Sequence, residues 1–68
     1  MSDHVYKTVE ITGSSTEDIS DAIRKAVARA SQTLRNVEWF EVASMRGYVR
    51  DGAVDHFQVT TKIGFRLD

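Results

Sequence analysis

The clearest pattern of apolar and polar positions in the chain is helical. Apolar residues recur at i, +3, +4, +7, +8, +11 and +15, namely Ile19, Ala22, Ile23, Ala26, Val27, Ala30 and Leu34. Three alanines on this stripe allow a helix to pack closely on a sheet. Ser14 followed three residues later by Glu17 is typical of a capping box, so we expect the helix to begin near Ser14.

Strand-like alternation with a period of two lies on both sides of this helix. The segment HVYKTVEIT comes before it and ends at Gly13-Ser14-Ser15, which interrupts the pattern. After Asn36, the segments VEWFEVASMRGYV and AVDHFQVTTKIGFRL alternate in the same way and are joined by Arg50-Asp51-Gly52-Ala53. Asp-Gly between two such runs favours a two-residue type I′ turn, because both central positions of that turn need positive φ.

These elements predict an α+β fold with the order β-α-β-β. A right-handed crossover makes the first two strands run in the same direction, so a third strand between them is antiparallel to both. We therefore expect a three-stranded antiparallel sheet of order 1-3-2 packed on one helix, as a single domain over residues 1–68.

The two-residue turn also predicts which side chains share a face of the sheet. It places Phe40 opposite Ile63 and Val42 opposite Thr61, with both residues of the second strand in the core under the helix. The face away from the helix then receives Trp39, Glu41, Ala43 and Met45. One helix cannot cover both faces, so we expect Trp39 and Met45 to contact another subunit, a ligand or both.

Two further expectations follow from this register. Gly64 opposite Trp39 leaves room for a flat ring against the sheet, and Met45 opposes Gln58. Simple alternation puts Arg46 on the helix side, opposite Phe57. Either the turn is not two residues long, or a bulge at Arg46-Gly47 re-aims this side chain, and we expect the bulge.

Composition narrows the classes of function. A chain of 68 residues buries too little surface for a secure core, and without cysteine it has no disulfides, so we expect self-assembly. Two histidines are too few for a zinc site within one chain, and we predict no metal site. A net charge of −1 argues against nucleic acid as a partner, and no apolar run is long enough for a membrane span. The first residues do not look like a signal peptide, so a cytoplasmic protein is expected.

The chain resembles the dodecins, a family of small flavin-binding proteins. The resemblance rests on NVEWFEVASMRG and DGAVDHFQVTTKIGFRL, and on four residues at spacings of seven, twelve and eight: Trp39, Arg46, Gln58 and Arg66. It implies a hollow homododecamer that binds flavins in pairs between two symmetry-related indoles. Trp39 would stack on the isoalloxazine ring, Gln58 would bond its polar edge, and Arg46 and Arg66 would contact polar groups or a phosphate.

The resemblance also implies the ligands. FMN is the expected cofactor, with riboflavin or FAD as alternatives. Coenzyme A is a second implied ligand, for which the matching positions are His4, Tyr6, Arg29 and Thr33. Gln58 and Arg66 are eight residues apart, about 26 Å along a strand, so a single flavin pocket must draw on at least two chains.

The leading hypothesis is therefore a flavin store with a photoprotective role and no catalytic residues. An electron-rich indole in contact with an excited flavin donates an electron, and the absorbed light decays harmlessly. Asp55 and His56 are adjacent in a strand and are expected to point to opposite faces, so they predict no acid–base dyad. The alternatives are a structural oligomerisation module, a carrier of another flat cofactor such as coenzyme A, and a flavoenzyme or small hydrolase subunit.

Overall fold

A computed structural model, which describes residues 3–68, contains three strands and one helix in the predicted order. The elements are β1 (Val5–Ser15), α1 (Ile19–Thr33), β2 (Val37–Arg50) and β3 (Ala53–Leu67). β3 lies between the other two strands and is antiparallel to both, which gives the sheet order β1-β3-β2. The predicted α+β fold and its strand order are confirmed.

The hairpin turn between β2 and β3 has the predicted length. Arg50 pairs with Ala53, and the two central residues have φ values of 52° at Asp51 and 79° at Gly52. Positive φ at both positions is the requirement of a type I′ turn. At the far end of the hairpin, Phe40 pairs with Ile63, Val42 with Thr61 and Trp39 with Gly64, as predicted.

The beginning of the helix differs from the prediction. β1 continues to Ser15, and α1 begins at Ile19 with Asp18 as N-cap, whose carboxylate accepts the amide of Asp21 at 2.7 Å. The prediction that the helix begins with a capping box at Ser14 is therefore wrong. Gly13 does not interrupt the strand. It lies beneath the helix, where a Cβ would overlap the carbonyl oxygen of Ala22. Its missing side chain allows α1 to lie close to β1.

A hydrogen-bonded cluster fixes the connection between β1 and α1. The buried Ser15 hydroxyl accepts the amides of Glu17 and Asp18 at 2.9 and 3.3 Å, and it donates to Asp21 Oδ2 at 2.7 Å. Lys25 Nζ lies 2.9 Å from the same oxygen. The Ser15 hydrogen bond, followed by that from Lys25, lowers the pKa of Asp21 below its ordinary 3.8, and Asp21 in turn raises the pKa of Lys25.

This cluster predicts an acid-dependent contribution to stability. Because folding lowers the pKa of Asp21, its stabilising effect is present above the unfolded-state value and is lost as the pH falls through the folded-state value. Asp21→Asn should lower the free energy of unfolding at neutral pH and flatten its decline in acid. Urea unfolding at a fixed protein concentration, repeated from neutral to strongly acidic pH, measures both effects.

The matched control is Asp51→Asn. It removes a carboxylate from the hairpin turn, where asparagine tolerates the positive φ equally well. This variant should keep the acid dependence of the original chain. An Asp21→Asn variant with an unchanged decline in acid would contradict the assignment.

The core lies between α1 and the middle of the sheet. The alanines of the helical stripe, Ala22, Ala26 and Ala30, are buried, as are Val59, Thr61 and Ile63 of β3. The Thr61 hydroxyl is satisfied by donating to the carbonyl of Ile11 at 3.0 Å. α1 packs on β1 and β3 and barely touches β2. One edge of the helix-side face is therefore uncovered.

The predicted burial of Phe40 and Val42 is consequently wrong within one chain. Both lie on the helix-side face, as their pairing with Ile63 and Thr61 requires, but they are 48% and 38% exposed. Beside Phe40, a groove of about 440 Å³ is lined by Ser20, Ile23, Arg24, Val27 and Ala28 of α1.

A bulge at Ala43 changes the alternation of β2. Val42 pairs with Thr61 and Ser44 with Thr60, which leaves Ala43 as the extra residue. Met45 therefore pairs with Val59 on the helix side rather than with Gln58, and its predicted orientation away from the helix is wrong. The bulge that we expected at Arg46-Gly47 occurs three residues earlier.

We call the sheet face away from α1 the open face. Its β1 and β3 positions are largely polar, as in the paired rows Thr8–Gly64, Glu10–Lys62 and Thr12–Thr60. The apolar surface that needs a partner is thus larger on the helix side, where Phe40, Val42 and Met45 form a strip along β2. We call these three residues the β2 strip.

The hairpin also projects beyond the rest of the fold. β1 ends at Ser15, which pairs with Phe57, so the tip from Tyr48 to His56 has only two strands. The molecule measures 55 × 19 × 14 Å, and this projection contributes to its length.

The β2 strip predicts that assembly depends on Phe40. A carboxylate buried without a partner at a subunit contact costs several kcal/mol, so Phe40→Glu should abolish assembly. Because one chain has too small a core to be secure by itself, the helical circular dichroism signal should weaken as well. Native mass spectrometry measures the subunit count. Gln32→Glu adds the same charge on the exposed side of α1 and should assemble normally. Full assembly of Phe40→Glu would show that the strip is not a contact between subunits.

Candidate functional site

The indole of Trp39 lies on the open face, directly over Gly64. A Cβ at Gly64 would overlap Cε2, Cζ2 and Cδ2 of the indole, and Gly64 is buried beneath the ring. Trp39 itself is 39% exposed. The space that we expected Gly64 to leave for a ligand is thus occupied by the tryptophan ring, which is held against the backbone with part of its surface exposed.

A bulge at Glu38 is responsible for this position of Trp39. Val37 pairs with Phe65 on the helix side and Trp39 with Gly64, so Glu38 is the extra residue between them. Unbroken alternation from Val37 would have turned Trp39 towards the helix. Glu38 lies beside the same site, with Oε2 3.6 Å from Arg66 Nη1. Sequence reasoning missed Glu38, because no residue type marks this bulge.

Arg66 is held through its backbone by the corner between α1 and β2. Its amide donates to the carbonyl of Asn36 at 3.1 Å, and Asn36 Nδ2 donates to the carbonyl of Arg66 at 3.4 Å and to Asp68 Oδ1 at 3.0 Å. Asn36 has a φ of 63°, a left-handed conformation that asparagine tolerates better than most residues. The guanidinium remains partly exposed, across the sheet from Tyr6 of β1.

Arg46 and Gln58 form a second cluster farther along the hairpin. They are paired across β2 and β3 because of the bulge at Ala43, which turns Arg46 to the open face. Six residues of β3, about 20 Å, separate Gln58 from Gly64. The structure therefore brings Trp39 near Arg66 and Arg46 near Gln58, but it keeps the two pairs apart within one chain.

The four residues considered for coenzyme A do not meet in one chain. The rings of His4 and Tyr6 contact each other edge-on, with centroids 6.5 Å apart, and Tyr6 lies on the open face opposite Arg66. Arg29 and Thr33 are exposed on α1, in the other layer, where Arg29 Nη1 donates to Gln32 Oε1 at 3.3 Å. A site that joined all four residues would need more than one subunit, and coenzyme A binding stays a prediction.

The hairpin tip contains a contact that we did not expect. His56 Nδ1 lies 2.7 Å from Asp55 Oδ2, although adjacent strand residues ordinarily point to opposite faces. The reason is a third bulge: Tyr48 pairs with His56 and Val49 with Val54, which leaves Asp55 extra. The imidazole also stacks on Tyr48 with centroids 4.5 Å apart, and Asp55 is 3.7 Å from Arg50 Nε. These contacts give Asp55 and His56 a structural role in the hairpin tip.

Residues 3–68 contain no candidate metal centre and no membrane-spanning helix. In that part of the chain, no three His, Asp or Glu side chains are grouped closely enough to hold a metal ion. Over the same residues, no helix has both the length and the apolar character to cross a membrane.

Comparison with known proteins gives the family. The sequence model of the family described as Dodecin matches residues 5–68. The chain belongs to the dodecin family. Its curated relative from Thermus thermophilus, named Dodecin, is 47% identical over 64 residues, which cover 94% of this chain and 93% of the relative.

Solved dodecin structures have the same fold. The dodecin from Streptomyces davaonensis is 52% identical and superimposes with a TM-score of 0.92, covering 98% of each chain. The dodecin from Streptomyces coelicolor is 51% identical, with a TM-score of 0.92 and coverage of 100% of this chain and 97% of its own. Dodecins are small binding proteins rather than enzymes, and membership of the family implies an oligomeric assembly.

Solved structures of the Thermus thermophilus dodecin include three single-residue variants. One replaces a tryptophan with phenylalanine, and two replace an arginine with alanine. In that protein the three positions are seven and twenty residues apart, which is the spacing of Trp39, Arg46 and Arg66 here.

The contact between Trp39 and Gly64 gives a direct test of the site geometry. Gly64→Ala should force the indole off the sheet, because the new methyl group would occupy the position of the ring. The chain has one tryptophan, so its emission spectrum reports this residue alone and should shift to longer wavelength. In Gly47→Ala, the added carbon would lie 3.7 Å from its nearest neighbour, and the emission should not change. Identical spectra for both variants would contradict the geometry.

Proposed function

We propose that this dodecin binds FMN on its open face and serves as a store and photoprotective buffer for the flavin rather than as an enzyme. The observation that carries the proposal is the indole of Trp39, held over Gly64 and partly exposed, with the guanidinium of Arg66 two residues farther along β3. A flat aromatic surface beside a cation matches a ligand that has a planar ring and a phosphate.

The fixed position of the indole favours stacking. Gly64 lets the ring rest on the backbone, so its orientation is set before a ligand arrives and less entropy is lost on binding. An aromatic stack contributes about 0.5–1.5 kcal/mol beyond the burial of area. Isoalloxazine is large and flat, and stacking on it would cover the part of the indole that is exposed in the single chain.

The arginines favour FMN over riboflavin. A guanidinium forms paired hydrogen bonds with phosphate oxygens, and riboflavin has no phosphate. Arg66 and Arg46 lie on the open face at opposite ends of the hairpin, so they would serve a ligand from different chains. Gln58, paired with Arg46, has an amide that can bond the polar edge of the ring.

Assembly completes the site in this proposal. The two half-sites are about 20 Å apart in one chain, so residues of at least two subunits must line one pocket. The uncovered β2 strip supplies apolar surface for such contacts. We infer the hollow dodecamer of the family, with flavins bound in pairs between two symmetry-related copies of Trp39. In the Thermus thermophilus dodecin, a tryptophan and two arginines at the same spacing have been substituted, which supports a role for these three positions here.

Stacking on tryptophan accounts for photoprotection. The electron-rich indole in contact with an excited flavin donates an electron, and the excited state returns to the ground state without emission or chemistry. Two flavins stacked between two indoles would also leave no room for a substrate beside N5 of the ring. A chain without cysteine suits a reducing compartment, which we take to be the cytoplasm.

Two substitutions at Trp39 separate binding from quenching. Trp39→Ala should keep the assembly and weaken FMN binding by more than the about 2- to 12-fold of the stacking contribution, because the variant also loses the apolar area that the indole buries. Trp39→Phe should retain more of the affinity, but bound FMN should stay more fluorescent because benzene is a poorer electron donor than indole. Titration of FMN with protein, followed by flavin emission and by equilibrium dialysis, measures the two effects independently.

The alternatives make different predictions in the same experiment. A structural oligomerisation module would purify without colour and leave added FMN fluorescent and free. An unchanged FMN affinity in Trp39→Ala would show that the indole is not the stacking surface. Native mass spectrometry of each variant provides the control that the assembly is intact.

A further inference from the structure

The carboxylate of Glu38 is not explained by flavin stacking. It lies 3.6 Å from Arg66, the cation next to Trp39, and so occupies the guanidinium that a phosphate would need. We propose that Glu38 is a specificity-determining residue: it competes with the ligand's phosphate for Arg66 and so limits how strongly the site prefers phosphorylated over unphosphorylated flavin. This inference rests on the proposed function and concerns the same site.

The backbone brings Glu38 to this position. The bulge that turns Trp39 to the open face leaves Glu38 without a partner residue on β3, and its side chain reaches Arg66. The backbone of Arg66 is fixed by the Asn36 corner, so the guanidinium has a limited range of positions. Indole, carboxylate and guanidinium therefore form one cluster, in which Glu38 is the only acidic side chain paired with Arg66 among the described residues.

The pair is weak enough for a ligand to displace. The side chains of Arg66 and Glu38 are 35% and 38% exposed, and an ion pair this accessible changes an equilibrium constant only about 1.5- to 5-fold. A phosphate dianion that accepts two guanidinium hydrogen bonds is a stronger partner. FMN must break the internal pair to gain the new one, whereas riboflavin can leave the pair intact. Glu38 should therefore penalise FMN selectively.

The test compares two ligands on one set of variants. Dissociation constants of FMN and riboflavin are measured by quenching of flavin emission for the original protein, Glu38→Gln and Glu41→Gln. Glu38→Gln should raise the preference for FMN over riboflavin about two- to fivefold. Glu41→Gln removes the same charge from the open face at a position paired with Lys62, and it should change the preference much less.

Double substitution shows whether Glu38 acts through Arg66. In an Arg66→Ala background, adding Glu38→Gln should leave the preference unchanged, because the contested cation is gone. Glu38→Thr supplies a second neutral side chain that suits a strand, in case the glutamine variant does not assemble. Circular dichroism and native mass spectrometry establish that each variant is folded and assembled.

The possible outcomes distinguish a failure of the proposed role of Glu38 from a failure of the proposed flavin binding. Flavin binding by every variant with an unchanged preference would overturn the role of Glu38 and leave the proposed function standing. Equal shifts in Glu38→Gln and Glu41→Gln, or a shift that persists without Arg66, would also overturn it, since the effect would then be a general one of charge. Failure of the original protein to bind either flavin would overturn both.

Discussion

A β-strand sends successive side chains to opposite faces, and the whole open face of this protein depends on where β2 departs from that rule. Trp39 and Arg46 are seven residues apart, an odd spacing that regular alternation assigns to opposite faces. The bulge at Ala43 restores Arg46 to the face of Trp39, and the bulge at Glu38 turns Trp39 there in the first place. The arrangement of ring, cation and amide is thus a property of backbone irregularities as much as of residue type.

Much of the fold follows from local patterns. The helical stripe and the Asp51-Gly52 turn are predictable, because each depends on periodicity or on a φ requirement that few residues meet. The predicted register is correct from Trp39 to Val42 only because the bulges at Asp55 and Ala43 offset each other. The bulges are not predictable in this way: Ala43 has no special backbone preference, and the more suggestive Gly47 is regular. The exposure of Phe40 depends on where α1 lies on the sheet, which is a result of tertiary packing.

The candidate site also combines features that the sequence predicts with features that only the coordinates show. The two-residue turn predicts the pairing of Trp39 with Gly64, but this pairing holds only because the bulges at Asp55 and Ala43 offset each other. The position of the indole over that glycine requires coordinates. Resemblance to the family selects Arg46, Gln58 and Arg66, while it offers no reason to consider Glu38. That residue matters only through its distance to Arg66 across a bulge. Sequence reasoning thus finds side chains that bind by their own chemistry and misses those that act by position.

The two-stranded tip of the hairpin has a consequence for how the protein acquires its final form. From Tyr48 to His56 it lacks both the third strand and the helix, and a ribbon of two strands is marginal by itself in water. Val49 and Val54 are 70% and 61% exposed there, so the ribbon has apolar surface and little of its own core. We therefore expect contacts with neighbouring copies in the oligomer to add to the few contacts that hold the tip within one chain. Folding of this segment would then be coupled to association of the subunits, and the tip should be the first part to fray on dilution.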